Sequence, residues 1–391
     1  MLAHQLPTAP ADDTPTRETV WKPRAGVAVR IVGAGAYVPE HVVTAKAIAS
    51  AIPGWTADRI VEKTGIVERR YLWPLDVEQG RTVGASESAE ERRAVATATD
   101  MGEVALTNAL RMSGMRARDV DVLIVVTCMP DRPRFSHDAM SLQRRLGLRP
   151  NAHCFVVDSG CGGSLYMLDF LARTLDADGA RTAAIVGTNF TSPMIDRVVY
   201  AGDGPVGDDG KRISPYLTPY VFGDGAGAIV VRRDPGHSLG VRASIAGNDC
   251  HDLVSCPGGG ALSPAYGDRY RAMDHAFIVN GRLVAATYLH TMPRCMASVT
   301  TGVGCSLDRV ERFYLHQPNE RMLRALVDRV GLRTDQVASN VAWLGNTSSA
   351  GMFMLLADDL EQGRVAIGRG TPVVFAAIGA GVHFGAQLVS L

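Results

Sequence analysis

The stretch "CFVVDSGCGGSLYMLDFL", Cys154 to Leu171, decides the fold. An apolar, β-rich run breaks at Asp-Ser-Gly, presents one cysteine between glycines, and resumes with the apolar spacing of a helix. Cys161 therefore belongs at a bend between a strand and a helix. A random cysteine is most often a small core residue. Here Gly160, Gly162 and Gly163 allow a tight turn and close approach of a substrate carbonyl, which favours a bend built to expose sulfur. A helix N-terminus brings unpaired N–H groups and the positive end of the dipole, so the thiol is expected to ionise below its ordinary range.

Strands alternate with helices on both sides of this stretch. "DVDVLIVVTCMP", "HCFVVDS" and "TAAIVGTNF" read as buried strands, and "ESAEERRAVATATDMGEVALTNALRMSG" as one long helix closed by Gly114. A second series follows: strands "AGAIVVRR", "ERFYLHQPN" and "TPVVFAAIGAG", separated by helices at "NERMLRALVDRVG" and "TSSAGMFMLLADDLEQG". The two series superpose in order: "DVDVLIVVTCMP" on "VERFYLHQPN", the helix after Cys161 on the helix after Asn346, and "AAIVGTNF" on "VVFAAIGAG". The expectation is an α/β protein of two pseudo-twofold-related halves, 28–225 and 226–391, preceded by a flexible arm, 1–27. Equivalent strand and helix ends from both halves can then meet at one pocket.

Bulk properties exclude several classes. At 46% hydrophobic and 20% charged residues the chain has the composition of an ordered enzyme, not of a disordered protein. Forty basic side chains balance forty acidic ones, so no overall cationic field exists to grip nucleic acid. No secretory signal pattern or membrane-length apolar run is present, and a cytoplasmic location with reduced cysteines is expected. Cys250, His251 and Cys256 lack zinc-like spacing, so no metal is expected.

His316 in "YLHQPNE" and Asn346 in "WLGNTSSAGMF" lie at element boundaries. Alone, His316 reads as a loop residue and Asn346 as a helix cap. The duplication changes that, because Asn346 takes in the second half the place of Cys161 in the first. "FGDGAGA", Phe222 to Ala228, resembles a phosphate loop but has no lysine, and reads as a close chain crossing.

"SGCGGSL", "FGDGAGAIVV", "HQPNERM", "GNTSSAG" and "GAGVHFGAQLV", with "DRIVEKTGIVERR" near the start, occur in an order that resembles the β-ketoacyl-ACP synthase III family over about residues 28–391. The resemblance implies a thiolase-like fold, each half a mixed β-sheet with helices layered α-β-α-β-α, and a homodimer. It implies that Cys161 accepts the acyl group, that His316 and Asn346 complete a Cys-His-Asn triad, and that backbone N–H groups of Cys161 and Ala380 form an oxyanion hole. Asn319 would order the site by hydrogen bonding, and Phe135 would bound the acyl pocket across the dimer interface. The family's adenine-stacking Trp and its supporting Arg are replaced here by Arg59 and Lys63, with Trp55 nearby but out of register.

The expected reaction is a decarboxylative Claisen condensation: an acyl-CoA or acyl-ACP donor loads Cys161, and a malonyl-type thioester extends it, without a separate cofactor. The departures at Arg59 and Lys63 put a carrier-protein-bound donor beside the usual coenzyme A primer, and with the arm 1–27 and the insertion around "PLDVEQGRTVGASESAEE" they direct the expectation toward polyketide or other specialised biosynthesis. The alternatives are an acyltransferase passing the acyl group from Cys161 to a hydroxyl, amine or carrier, and a catalytically silent scaffold subunit.

Overall fold

The computed structural model describes the chain apart from residues 1–22, 26–28, 85–94, 133, 176–178, 203–205, 207–209, 211, 214–215, 235–237, 252, 257, 261–263 and 265–270. Two five-stranded sheets organise it. The first contains β1 (Val29–Tyr37), β2 (Val122–Val126), β3 (His153–Val157), β4 (Thr182–Asn189) and β5 (Gly225–Arg233), in the spatial order β1-β5-β4-β2-β3. The second contains β6 (Gly240–His251), β7 (Arg312–Leu315), β8 (Pro372–Gly379) and β9 (Gly381–Ser390), in the order β6-β9-β8-β7, with Arg24–Ala25 paired outside β6.

The order β1-β5-β4-β2 thus repeats as β6-β9-β8-β7, and the pairings agree in sense: antiparallel, antiparallel, then parallel. Even β3 has a remnant counterpart, since Val337 bridges Phe313 in parallel as β3 pairs with β2. The duplication read from the sequence is the architecture of the molecule. Its boundary differs from expectation. β5 completes the first sheet, so the halves divide after Arg233 and not at 225/226. An apolar strand pattern identifies a strand without saying which sheet receives it. The expected flexible arm, 1–27, is also shorter at its end, because Arg24–Ala25 belongs to the second sheet; residues 1–22 lie outside the described residues.

Helices α1 (Ala57–Thr64), α2 (Ala98–Ser113), α3 (Gly163–Thr174), α4 (Gly281–Thr301), α5 (Glu320–Val330) and α6 (Gly351–Glu361) place the layers. α3 and α6 are apolar on most sides, as a helix buried between two sheets must be. Leu165, Leu168 and Leu171 of α3 share one core with Phe353 and Leu356 of α6, Ile124 and Ile185 of the first sheet, and Phe375 and Val389 of the second. α2 covers the outer face of the first sheet through Met101, Ala105 and Ala109. α4 and α5 cover the second through Met292, Met296, Leu323 and Leu326. The result is the expected α-β-α-β-α stack. The long helix expected upstream of Gly114 is observed over Ala98–Ser113, where Thr97 caps it and the Thr97 N–H donates to the Asp100 carboxylate; the expected part within 85–94 lies outside the described residues. No helix among the described residues is long and apolar enough to cross a membrane.

Candidate active site

The Cys161 turn is held by the opposite half. Residues Gly160–Gly162 form a single 3-10 turn and α3 begins at Gly163, so Cys161 stands just ahead of the helix. Gly160 has φ +54°, a left-handed conformation suited to glycine. A Cβ on Gly162 would lie 3.0 Å from Gly379 N, and one on Gly379 would lie 2.3 Å from Gly162 N. The turn therefore rests directly on the end of β8. Ala380 follows at once, its nitrogen 3.2 Å from where a Gly160 Cβ would stand.

The Asn346 turn makes the reciprocal contact. The Asn346 N–H donates to Val221 O at 2.8 Å, Gly223 N–H donates to Asn346 O at 3.1 Å, and Asn189 Nδ2 donates to Gly223 O at 2.6 Å. A Cβ on Gly223 would meet Leu344 O at 2.0 Å. "FGDGAGA" is thus the close crossing expected, with Gly223 clamping Asn346 to the first half. The following turn, Ser348–Ala350, is tied to the first half by Ser164 Oγ donating to Ser349 O at 2.6 Å, and by Ser349 Oγ donating to Val126 O at 3.0 Å.

His316 continues from β7, its N–H donating to Ala376 O at 2.8 Å and its carbonyl accepting from Tyr288 Oη at 2.8 Å. Gln317 then fixes the chain leading to Asn346: its Nε2 donates to Ala338 O at 2.8 Å and its Oε1 accepts from Val341 N at 3.1 Å. Asn319 caps α5 by accepting from Met322 N at 2.9 Å.

These segments enclose a cavity of about 420 Å³. Cys161, His316, Asn346 and Ala380 all line it, with Lys63, Asn319, Arg321 and Trp55. Most of the remaining wall is apolar, including Leu217, Phe222, Val254, Val284 and Met322. Sulfur, imidazole and carboxamide, contributed by opposite halves, face one space.

Burial decides the electrostatics. The His316 ring is pushed down to about 3 by loss of solvation, so it is neutral at ordinary pH. The Cys161 thiol is pushed up by burial, against hydrogen bonds from Ser348 and Asn346 that favour the thiolate. The sequence expectation of a lowered thiol pKa is therefore corrected. Burial is the largest influence on the thiol, and α3 begins only at Gly163, beyond the cysteine.

Not every expected residue reaches the cavity. The Arg59 guanidinium sits 5.1 Å from the centre of the Trp55 ring, and it is Trp55, read as out of register, that lines the wall. Phe135 is 88% exposed with φ +49° and does not line the cavity of its own chain. The side chains of Cys250 and His251 lie outside the described residues. Sequence reasoning missed Ser348, whose hydroxyl donates to Cys161 Sγ at 3.3 Å, and Cys128, which packs in the same cluster as Cys161. Only the serine's place two residues after Asn346 could have signalled it.

Two duplicated α/β halves holding each other's reactive turns define a thiolase-fold protein with a cysteine-centred site. Comparison with known proteins agrees. The model of 3-oxoacyl-[acyl-carrier-protein (ACP)] synthase III matches residues 155–249, and the model of that family's C-terminal part matches 302–391. The β-ketoacyl-[acyl-carrier-protein] synthase III of Methylococcus capsulatus is 29% identical, the match covering 92% of this chain and 98% of the relative. That of Clostridium acetobutylicum is 26% identical over the same shares. The crystal structure of the Thermus thermophilus enzyme aligns with a TM-score of 0.73 at 26% identity, covering 93% of this chain and 99% of that one. Over more than nine-tenths of its length the chain is similar to β-ketoacyl-ACP synthase III enzymes.

Proposed function

We propose that this protein performs a decarboxylative Claisen condensation between an acyl thioester and a malonyl-type thioester. The convergence of Cys161, His316 and Asn346 on one cavity carries the reading. In the first step Cys161 Sγ bonds to the donor's carbonyl carbon, the oxygen takes negative charge, and the donor thiol leaves with the proton that Cys161 gives up. Backbone N–H groups of Cys161 and Ala380 are the donors assigned to that oxygen; removing one such donor costs about 2.7–4 kcal/mol in comparable sites.

In the second step the malonyl carboxylate leaves as CO2 and its electron pair forms an enolate. A buried, neutral imidazole can donate one N–H to the enolate oxygen, and the Asn346 carboxamide can donate another. Neither is anionic, so neither repels the developing charge. The enolate carbon then attacks the Cys161 thioester, forming the new C–C bond and returning the thiolate.

Lys63 and Arg321 at the cavity suit the phosphate of a pantetheine-borne donor, whether coenzyme A or carrier protein. The names of the relatives support the carrier protein. The Arg59–Trp55 pair in place of the family's usual stacking residue supports a role in polyketide or other specialised biosynthesis. The exposed Phe135 supports a homodimer in which it is covered.

Incubation with a panel of acyl-CoA and acyl-ACP donors, followed by intact-protein mass spectrometry, should give an acyl adduct that Cys161→Ala abolishes. With malonyl-ACP, CO2 release should fall about 10²–10³-fold in Asn346→Ala, the cost of losing an oxyanion donor. Acyl transfer to an alcohol, amine or carrier with no CO2 released would replace condensation by simple acyl transfer.

A further inference from the structure

We propose that Ser348 is a positioning residue that aims the two reacting groups together, its hydroxyl holding the Cys161 sulfur and its backbone N–H holding the Asn346 amide. The proposal rests on the reading of Cys161 as nucleophile.

Ser348 is buried, 2% exposed, yet its φ is +49°, where side-chain-bearing residues are uncommon. Such a conformation persists only when its surroundings impose it. Here they do: Ser349 on one side is bonded into the first sheet, and Asn346 on the other is clamped by Gly223. The strained turn brings two donors of one residue to bear. Ser348 Oγ donates to Cys161 Sγ at 3.3 Å, and Ser348 N donates to Asn346 Oδ1 at 2.8 Å.

The second bond fixes the sense of the carboxamide. A backbone N–H can only donate, so the atom it meets must be the amide oxygen, and the NH2 is left to serve the cavity. That is the orientation an enolate needs. The first bond favours the thiolate over the thiol, opposing the burial that otherwise holds the proton on sulfur.

Cys128 packs in the same cluster as Cys161, and burial keeps its thiol protonated, so it adds no second anion beside the nucleophile.

The test follows the pH dependence of Cys161 alkylation by iodoacetamide in the full chain, read on the Cys161 peptide by mass spectrometry so that the exposed Cys256 does not contribute. Ser348→Gly relieves the backbone strain and removes the hydroxyl; Ser348→Ala removes the hydroxyl alone. Both should shift the alkylation midpoint upward by about one pH unit, slowing the reaction near neutrality about tenfold. Ser348→Asn, which tolerates the left-handed backbone and offers an N–H, should recover part of the rate. A wild-type pH profile in Ser348→Gly would overturn the proposal, because the hydroxyl would then be idle. Alkylation does not depend on any acyl donor. A wild-type protein that alkylates normally but loads no acyl group would therefore defeat the proposed function and leave this inference standing.

Discussion

His316 is a titratable ring that the fold keeps from titrating. Burial holds its pKa near 3, whereas the unfolded chain should protonate it near 6.5. Between those values the unfolded state binds a proton that the folded state refuses. Stability contributed by the neutral ring is complete above about pH 6.5 and is lost as pH falls toward 3, by about 1.4 kcal/mol per unit inside that window. Urea midpoints of wild type and His316→Gln at pH 7, 5.5 and 4.5 should separate this from other groups, with the variant losing less on acidification. Parallel losses would mean that the ring protonates without unfolding. Catalysis should show no rise through pH 6.5 traceable to this ring. The sequence located His316 by its place at a strand end. Its neutrality was not legible there, because the desolvation comes from residues distant in the chain.

At the scale of elements, two pairs of glycines do what no side chain could. Gly187 and Gly227 are register partners on β4 and β5. A Cβ on Gly187 would lie 2.3 Å from Ser349 O, and one on Gly227 would lie 2.5 Å from Ala350 O. The turn carrying Ser348 therefore lies flush on the first sheet, as the Cys161 turn lies on the end of β8 through Gly162 and Gly379. Gly187→Ala should lower stability by about 1–3 kcal/mol, seen as a lower urea midpoint with unchanged slope. Cys161 alkylation should slow in the same variant, since the displaced turn holds Ser348. An unchanged midpoint would show that the turn yields freely. Strand-to-helix bends such as "DSGCGGSL" are legible because two hydrophobic periods meet there. The partner of each glycine was not, since a close approach between segments leaves no local pattern. For the same reason the pattern of "AGAIVVRR" identifies a strand but not the half that receives it.

Among the described residues the two halves share a central core. That apolar cluster draws on both sheets and both inner helices, while each sheet has a further cluster beneath its outer helices. Calorimetry should record a single endotherm, with loss of near-ultraviolet and far-ultraviolet dichroism at the same temperature. Two resolved endotherms would show that the halves melt independently. The repeat in the sequence made the doubling and the meeting of Cys161 with Asn346 readable. It did not show that each half supports the other's turn, a relation that exists only once both sheets are in place.

That mutual support bears on how the gene could be divided. A break in the connection after Arg233 would yield two fragments, each lacking the shelf beneath its own reactive loop. Made separately they should form no acyl adduct on Cys161 from an acyl thioester donor; produced together in one cell they should find each other and regain it.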